Sequence, residues 1–169
     1  GRSFQISNVL MNFTVLENAM IAEQARRREA FRFFRPAFTD PVLYDGGMKM
    51  LGRVGIESRA DTRVADLAHG ERRLLELALA LASNPALLLL DEPMAGAGGE
   101  ESQHMIGIID ALRGRAGILL IEHDMDAVFR LADRVTVLVE GAVIASGPPS
   151  EISGNAAVRE AYLGTEEHA

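Results

Sequence analysis

Two adjacent carboxylates, Asp91 and Glu92, have the side chains and the position best suited to chemistry. They follow the apolar run Leu87–Leu90. Asn84-Pro85, a pair that interrupts regular secondary structure, precedes this run, and Pro93 follows the two carboxylates. This pattern is typical of a buried parallel strand. Open α/β sheets bind ligands at the carboxyl ends of their strands, so one carboxylate could hold Mg²⁺ while the other orients or deprotonates a water. The pair could equally end a strand and cap the following helix.

The composition sets limits on the class of protein. The chain has 169 residues, 48% of them apolar and 24% charged, which fits one globular domain with its own core. The net charge of −7 argues against a nucleic-acid partner, and the absence of cysteine excludes disulfides and thiolate metal sites. No apolar run approaches the ~18–20 residues that span a bilayer.

Basic residues concentrate near the beginning of the chain. The cluster could face an acidic partner or lipid headgroups, although a solvated helix face is the more common meaning of such a pattern. Its members are Arg26, Arg27, Arg28, Arg32 and Arg35.

The first third of the chain reads as helical. Thr14 and Glu17 form an S/T-x-x-E capping box that predicts a helix from about Val15 to Phe34. Asp40-Pro41 begins a second helix that reaches Gly52 or Val54, with Gly55 as its stop, and a third helix covers about Glu71 to Ala82.

Strands and helices then alternate, which predicts an α/β fold with a parallel sheet. We expect the buried strands Leu87–Leu90 and Gly117–Ile121, helices over 100–112 and 124–132, a hairpin of Val135–Val139 and Ala142–Ala145 around Glu140-Gly141, and a short helix near Val158–Leu163.

No phosphate loop is present in these residues. The single lysine, Lys49, lies outside any G-x-x-x-x-G-K-[ST] pattern, and the chain begins with Gly1 rather than methionine. We therefore expect these residues to be the carboxyl-terminal part of a longer protein. This part alone should neither bind ATP tightly nor hydrolyse it, although the longer protein would.

The order of three motifs resembles the nucleotide-binding subunit of an ABC transporter. Leu67–Glu71 is similar to the signature motif, Leu87–Glu92 to the Walker B strand with its catalytic glutamate, and His123 to the switch histidine. Ala95–Gly98 is similar to the D-loop, and Gln5 after Phe4 to the Q-loop glutamine.

Three further segments resemble the ATPases of branched-chain amino-acid importers in particular. They are Phe13–Asn18, Leu120–Met125 and Val158–Gly164, and the helical material between Pro36 and Ala65 also fits this group. Urea importers and lipopolysaccharide exporters share parts of the pattern and remain alternatives.

The resemblance implies a fold and a domain organisation. The fold would be α/β, the carboxyl-terminal part of a P-loop NTPase-type parallel sheet with helices, joined to an all-helical subdomain. Residues 1–14 would be the Q-loop segment and residues 15–84 the helical signature subdomain. Residues 85–169 would hold the Walker B and switch-histidine part of a RecA-like core and a tail.

The resemblance also implies ATP and Mg²⁺ as cofactors, with Glu92 and His123 as catalytic residues. Asp91 and Gln5 would act on the metal, partly through water. The start of the third helix presents backbone N–H groups and a positive dipole end, which suit a γ-phosphate. The residues implied in nucleotide binding are Gln5, Ala68, His69, Gly70, Glu71, Asp91 and Gly98; for His69, ligand contact and loop filling remain equally open.

In the resembled family the γ-phosphate comes from ATP held by a second nucleotide-binding subunit, so catalysis needs a dimer. The implied partners are transmembrane permease subunits and, indirectly, a solute-binding protein, with the chain peripheral to the cytoplasmic face of the inner membrane. Ala68 replaces the common serine, His69 and Glu71 replace glycine and glutamine, and Gly98 replaces a frequent aspartate.

Two other functions stay open from the residues alone. A Mg²⁺-dependent phosphohydrolase could use Asp91 and Glu92 without a phosphate loop, but it would need more carboxylates nearby, with Glu122 and Asp124 as candidates. The helices between residues 15 and 54 could instead form a non-catalytic docking module for membrane subunits.

Overall fold

The chain folds as two compact units, Gly1–Ile121 and Glu122–Ala169. A computed structural model describes residues 9–27 and 37–163 of them. The first unit contains four helices and a two-stranded parallel sheet, and the second contains a two-stranded antiparallel sheet with short helices, all counted over the described residues. This arrangement confirms the predicted α/β class and the parallel pairing.

Helix α1 spans Val15–Arg26 and begins at the predicted capping box. The hydroxyl of Thr14 accepts the backbone N–H of Glu17 at 3.1 Å, and the Glu17 carboxylate accepts that of Thr14 at 2.7 Å. The helix ends at Arg26, earlier than the predicted Phe34, and residues 28–36 lie outside the described part of the chain. Arg27 caps this end, and its N–H still reaches the carbonyl of Glu23.

Helix α2, Pro41–Gly52, has the predicted bounds. Asp40 caps it through a 2.9 Å bond from the N–H of Val42. Gly55, with a φ of +75°, turns the chain away in the left-handed region that glycine tolerates. Single 3-10 turns cover Ala37–Thr39, Glu57–Arg59 and Val64–Asp66.

The segment before α1 pairs with the segment that leads to α3. Backbone N–H groups of Val15 and Leu16 donate to the carbonyls of Thr62 and Ala60, and that of Val64 donates to Phe13. Buried Asn18 secures the same loop, because its side chain bonds both the N–H and the carbonyl of Leu10. These bonds set where the chain enters α3. Helix α3 spans His69–Leu81, beginning slightly earlier than predicted, and its buried side chains are Leu75, Leu77, Ala78 and Leu81.

Strand β1, Leu87–Asp91, pairs in parallel with β2, Gly117–Ile121, and helix α4, Gly99–Asp110, connects them. The parallel pairing was predicted correctly, but the prediction that both strands are fully buried was wrong. Leu88 and Leu90 are buried, whereas Leu87, Leu119 and Ile121 are each more than half exposed. Within the described residues β1 and β2 pair only with each other.

In the second unit, Asp124 caps helix α5, Met125–Leu131, as predicted. Strands β3, Val135–Val139, and β4, Ala142–Gly147, form the expected hairpin; Glu140 and Gly141 both have positive φ in the turn. Helix α6, Pro149–Ile152, was not predicted, and α7 spans Ala156–Leu163. The core of this unit consists of Val135, Val137, Ile152 and Val158, with Val128 and Phe129 packed against it.

A buried carboxylate lies where α1 passes α2. Glu23 is only 4% exposed and receives guanidinium bonds from Arg26 at 2.6 Å and Arg27 at 2.7 Å. A Cβ on Gly46 of α2 would lie 2.6 Å from the Glu23 side chain, so glycine makes room for the ion pair. The hydrogen bond from Arg26 lowers the pKa of Glu23 to about 2, against the opposing effect of burial. These two arginines of the basic cluster therefore pair with a buried carboxylate, while their own side chains stay partly exposed.

We expect Glu23→Gln to destabilise the chain by on the order of 2 kcal/mol at pH 7, because both guanidinium groups lose their carboxylate. The stabilisation that ionised Glu23 gives to the native state is complete above the ordinary carboxyl pKa of 4.5 and is lost as the pH falls towards 2. Urea unfolding at pH 7 and pH 3 measures this, with Glu57→Gln on the exposed 3-10 turn as the control. An equal pH dependence in wild type and Glu23→Gln would contradict the assignment.

Candidate nucleotide-phosphate site

The two carboxylates occupy the end of β1. Asp91 is the last residue of the strand, lies opposite Ile121 in the register, and is exposed. Glu92 follows with a φ of +44°, in the left-handed region that a residue with a Cβ rarely adopts. Its N–H donates to the carbonyl of Ile121 at 2.9 Å, which extends the β1–β2 pairing by one bond. The chain turns sharply between these two side chains.

Arg73 joins the signature-like helix to this turn. Its Nη1 donates to the carbonyl oxygen of Glu92 at 2.8 Å, and the same carbonyl accepts the N–H of Ala95 at 3.1 Å. The backbone of Glu92 is thus bonded to β2, to α3 and to the following loop. A residue fixed on both of its peptide groups can hold an unfavourable φ and aim its side chain reproducibly.

The beginning of α3 has no side-chain oxygen to cap it. Ala68 is the N-cap residue, with extended backbone, and its methyl group cannot accept the first N–H groups of the helix. Ala68 and His69 are exposed, and Gly70 is half-buried. The helix therefore presents N–H groups at its positive dipole end, a suitable position for an anionic ligand.

The Glu71 carboxylate points back over this helix start. Its Oε2 accepts the N–H of Ala68 at 3.0 Å, and its Oε1 lies 2.8 Å from Nε of Arg59. Nη2 of Arg59 also donates to Oε2 at 3.4 Å. Glu71 was expected to contact nucleotide; in this structure its carboxylate is bonded within the chain.

A cavity of about 300 Å³ lies between the start of α3, the turn at residues 55–59 and α4. Its charged lining consists of Arg59, Glu71, Arg73, Glu100, Glu101 and His104. Glu101 lies against the helix start, since a Cβ on Gly70 would come within 2.7 Å of its carboxylate. His104 is fixed at the far side by a 3.0 Å bond between Nε2 and the carbonyl of Val54.

The loop between Glu92 and α4 corresponds to the expected D-loop. Gly98 is the N-cap of α4 and is exposed, and its N–H donates to the Glu101 carboxylate at 3.4 Å. Gly96 turns the loop with a φ of +71°. Gly98 has no side chain and contributes only its backbone to this loop.

His123 lies in the second unit, just after β2. Its side chain is 68% exposed, with Nδ1 3.9 Å from the Glu122 carboxylate, and its N–H donates to the same carboxylate at 3.2 Å. Asp124 uses its carboxylate to cap α5. Gln5, the remaining predicted site residue, lies outside the described residues.

The carboxylate-rich alternative receives no support from this arrangement. Over residues 9–27 and 37–163, no group of three or more histidine, cysteine, aspartate or glutamate side chains could hold a metal ion. Asp124, a candidate for such a group, instead bonds the N–H groups of Asp126 and Ala127. A phosphohydrolase that depends on clustered carboxylates is therefore not the function that this geometry favours.

Sequence reasoning missed two residues of the site, Arg59 and Arg73. Their partners lie 12 and 19 residues away, so no local pattern points to either of them.

Comparisons with known proteins agree with the fold and the motifs. An ABC transporter family model matches residues 1–95, and a model described as branched-chain amino acid ATP-binding cassette transporter matches residues 142–168. The high-affinity branched-chain amino acid transport ATP-binding protein LivG of Salmonella typhimurium is 35% identical over 170 residues, covering 96% of this chain and 67% of LivG. The lipopolysaccharide export ATP-binding protein LptB of Acidithiobacillus ferridurans is 34% identical over 119 residues, covering 70% of this chain and 49% of LptB.

A solved structure gives the same result at the level of the fold. The crystal structure of an ATP-binding cassette of an ABC transporter, in its ADP conformation, superposes with a TM-score of 0.75 at 25% identity. The aligned region covers 96% of this chain and 67% of the chain in that crystal structure. The fold and the site thus define a nucleotide-binding cassette of the P-loop NTPase class.

The chain belongs to the ABC transporter family of ATP-binding proteins, which confirms the resemblance drawn from the motifs. Membership implies that the family's ligand, a nucleotide, is the relevant one for this site. Among the helices in the described part of the chain, none is long and apolar enough to cross a membrane.

Arg73 should affect the rate of ATP turnover at this site more than the affinity of the site for ATP. We expect Arg73→Ala, in the natural polypeptide that contains these residues, to lower kcat for ATP about tenfold, because Glu92 loses one of its three backbone anchors. Steady-state ATPase kinetics measure this effect. Arg73→Lys, which can still donate to one carbonyl, is the matched variant and should recover most of kcat; equal losses in both variants would contradict the anchoring role.

Proposed function

We propose that this chain is part of the ATP-hydrolysing subunit of an importer for branched-chain amino acids. The observation that carries the proposal is the 35% identity to LivG over 96% of the chain, together with the ABC transporter model that matches residues 1–95. The names of LivG and of the model that matches residues 142–168 support the substrate class. LptB, whose match covers less of the chain, supports lipopolysaccharide export less well.

The described residues fit a nucleotide and a magnesium ion on chemical grounds. Asp91 offers an exposed carboxylate at a strand end, an oxygen ligand of the type that Mg²⁺ accepts, directly or through water. The start of α3 offers N–H groups that no side chain of Ala68 occupies. When bound, Mg²⁺ would neutralise charge on the phosphates and help to hold them in place.

Each predicted residue then has a role that its position supports. Glu92, fixed by its backbone, would orient and polarise the attacking water, with its carboxylate as the general base. Ala68, His69 and Gly70 would present backbone N–H groups to the γ-phosphate. Glu71 would contact the nucleotide from the first turn of the same helix. Gly98 would contact it through its backbone, in the loop expected to be the D-loop.

The remaining roles follow the family pattern. His123, whose ring is exposed, would contact the γ-phosphate and sense its loss after hydrolysis, as the family pattern implies. Gln5 would reach the metal and link the site to the membrane subunits. Phosphoryl transfer depends mainly on positioning and charge neutralisation, so a site spread over several elements is chemically sufficient.

The assembly that we propose contains two nucleotide-binding subunits, because the phosphate at the signature motif would come from nucleotide held by the other subunit. Permease subunits would be the membrane partners, a solute-binding protein would act indirectly, and the subunit would lie at the cytoplasmic face of the inner membrane. A purely non-catalytic docking role is less well supported, since the relatives that match most of the chain are named as transport ATP-binding proteins.

Replacing the proposed general base should separate hydrolysis from binding. We expect Glu92→Gln, in the natural polypeptide assembled with its permease, to lower kcat by at least about a hundredfold while the Kd for ATP stays within about threefold. ATPase rates and nucleotide binding measure the two effects, and leucine uptake by the cells should fall with kcat. Glu160→Gln, at an exposed position on α7, is the control, and full hydrolysis by Glu92→Gln would refute the assignment.

The isolated 169-residue chain should bind ATP poorly, because no G-x-x-x-x-G-K-[ST] motif is present among its residues to cradle the β-phosphate. Titration calorimetry with Mg-ATP should give no micromolar affinity and no measurable turnover. A micromolar Kd for this chain by itself would contradict the expectation and would mean that another segment replaces the phosphate loop.

A further inference from the structure

A histidine of α4 is bonded to the backbone that follows α2. Nε2 of His104 lies 3.0 Å from the carbonyl oxygen of Val54, which is 50 residues earlier in the sequence. A carbonyl oxygen only accepts, so the ring nitrogen carries the hydrogen and donates it. Val54 is fully buried, whereas His104 is exposed. The bond therefore attaches the surface of α4 to the interior of the helical part of the fold.

The backbone beside Val54 is shaped to admit the ring. A Cβ on Gly55 would lie 3.2 Å from Nε2 of His104 and 3.3 Å from its Cε1, closer than most Cβ contacts in proteins. Gly55 also has a φ of +75°, in the region that favours glycine. A side chain at this position would press on the ring as well as strain the turn.

The same face of α4 reaches the start of α3. Glu101 lies three residues before His104, and residues at this spacing are neighbours on a helix surface. Its carboxylate lies against the helix start, since a Cβ on Gly70 would come within 2.7 Å of it. The bond at His104 therefore helps to determine how α4, and the loop before it, lie against the first turn of α3.

A second bond joins the same two parts of the fold at another point. Arg73 of α3 donates to the carbonyl of Glu92, and both Arg73 and His104 line the cavity of about 300 Å³ that lies between these parts. A single bond fixes a position, whereas a second bond some distance away also fixes an orientation. Without the bond at His104, α3 could pivot about Arg73 and its first turn would move relative to Glu92.

We propose that His104 is a positioning residue, whose bond to the Val54 carbonyl holds the start of α3 in register with the turn at Glu92 and so raises the rate of ATP hydrolysis. This inference rests on the proposed function of the site. His104 touches no reacting atom and acts through the backbone of residues 54–55. Its loss should slow hydrolysis and leave ATP affinity nearly unchanged, because the phosphate loop that cradles a nucleotide is not among these residues.

The test uses the natural polypeptide that contains these residues, assembled with its permease, with ATPase rates measured against Mg-ATP concentration. We expect His104→Ala to lower kcat about fivefold, the effect of one lost hydrogen bond, while KM stays within about twofold. His104→Gln brings an amide N–H within reach of the same carbonyl and should recover at least about half of kcat. His104→Leu fills similar space without a donor and should behave like His104→Ala.

A double-mutant cycle tests the fit of the ring against the turn. Gly55→Ala should lower kcat in the wild-type background and have a smaller effect in the His104→Ala background, where the ring is absent. Gly114→Ala is the matched control, because Gly114 has a φ of +73° but a Cβ there would meet no atom within 4 Å. Gly107→Ala has equal space on α4 itself, and both controls should leave kcat unchanged. Urea unfolding of every variant checks that a lower rate is not a loss of folded protein.

The outcomes separate this inference from the function on which it rests. Equal losses of kcat in His104→Ala and His104→Gln would overturn the role of the hydrogen bond while leaving the ATPase assignment intact. An unchanged kcat in His104→Ala, or a loss seen only in KM, would do the same. A wild-type complex that hydrolyses no ATP would overturn the proposed function, and the inference with it.

Discussion

The hydrogen bond from Arg73 to the carbonyl of Glu92 is the interaction on which the arrangement of the site depends. It crosses 19 residues of sequence and fixes the one residue of the β1–α4 connection that has both a carboxylate and a left-handed backbone. Such a backbone costs on the order of 1 kcal/mol or more, and it persists only when its surroundings hold it. The bonds to Ile121 and Ala95 complete that support. The position of the Glu92 carboxylate is consequently a property of α3 as much as of the strand that carries it.

The same helix also determines how charge is distributed near the site. Its first turn carries the N–H groups that attract an anion and the Glu71 carboxylate that repels one. Arg59 reaches this turn from a separate loop, whose course is set by the backbone pairing of residues 60–65 with the segment before α1. The helical part of the fold therefore also delivers a cation to the first turn of α3.

Sequence reasoning succeeded where the partners are close along the chain. The capping box of Thr14 and Glu17, the cap at Asp40 and the turn at Glu140-Gly141 are local, and each has the predicted geometry. The burial of the strands failed because burial depends on which other elements cover a strand, as exposed Leu87 illustrates. Arg59 and Arg73 were unpredictable for the same reason, since tertiary contacts alone make them part of the site.

The departures from the common family pattern share a physical consequence. Ala68 and Gly98 have no polar side-chain atom, so each position can offer a ligand only its backbone N–H group. Backbone donors cannot rotate to compensate for a nearby charge, and their strength depends on the field around them. A signature helix of this composition should therefore be unusually sensitive to the charges that surround its first turn.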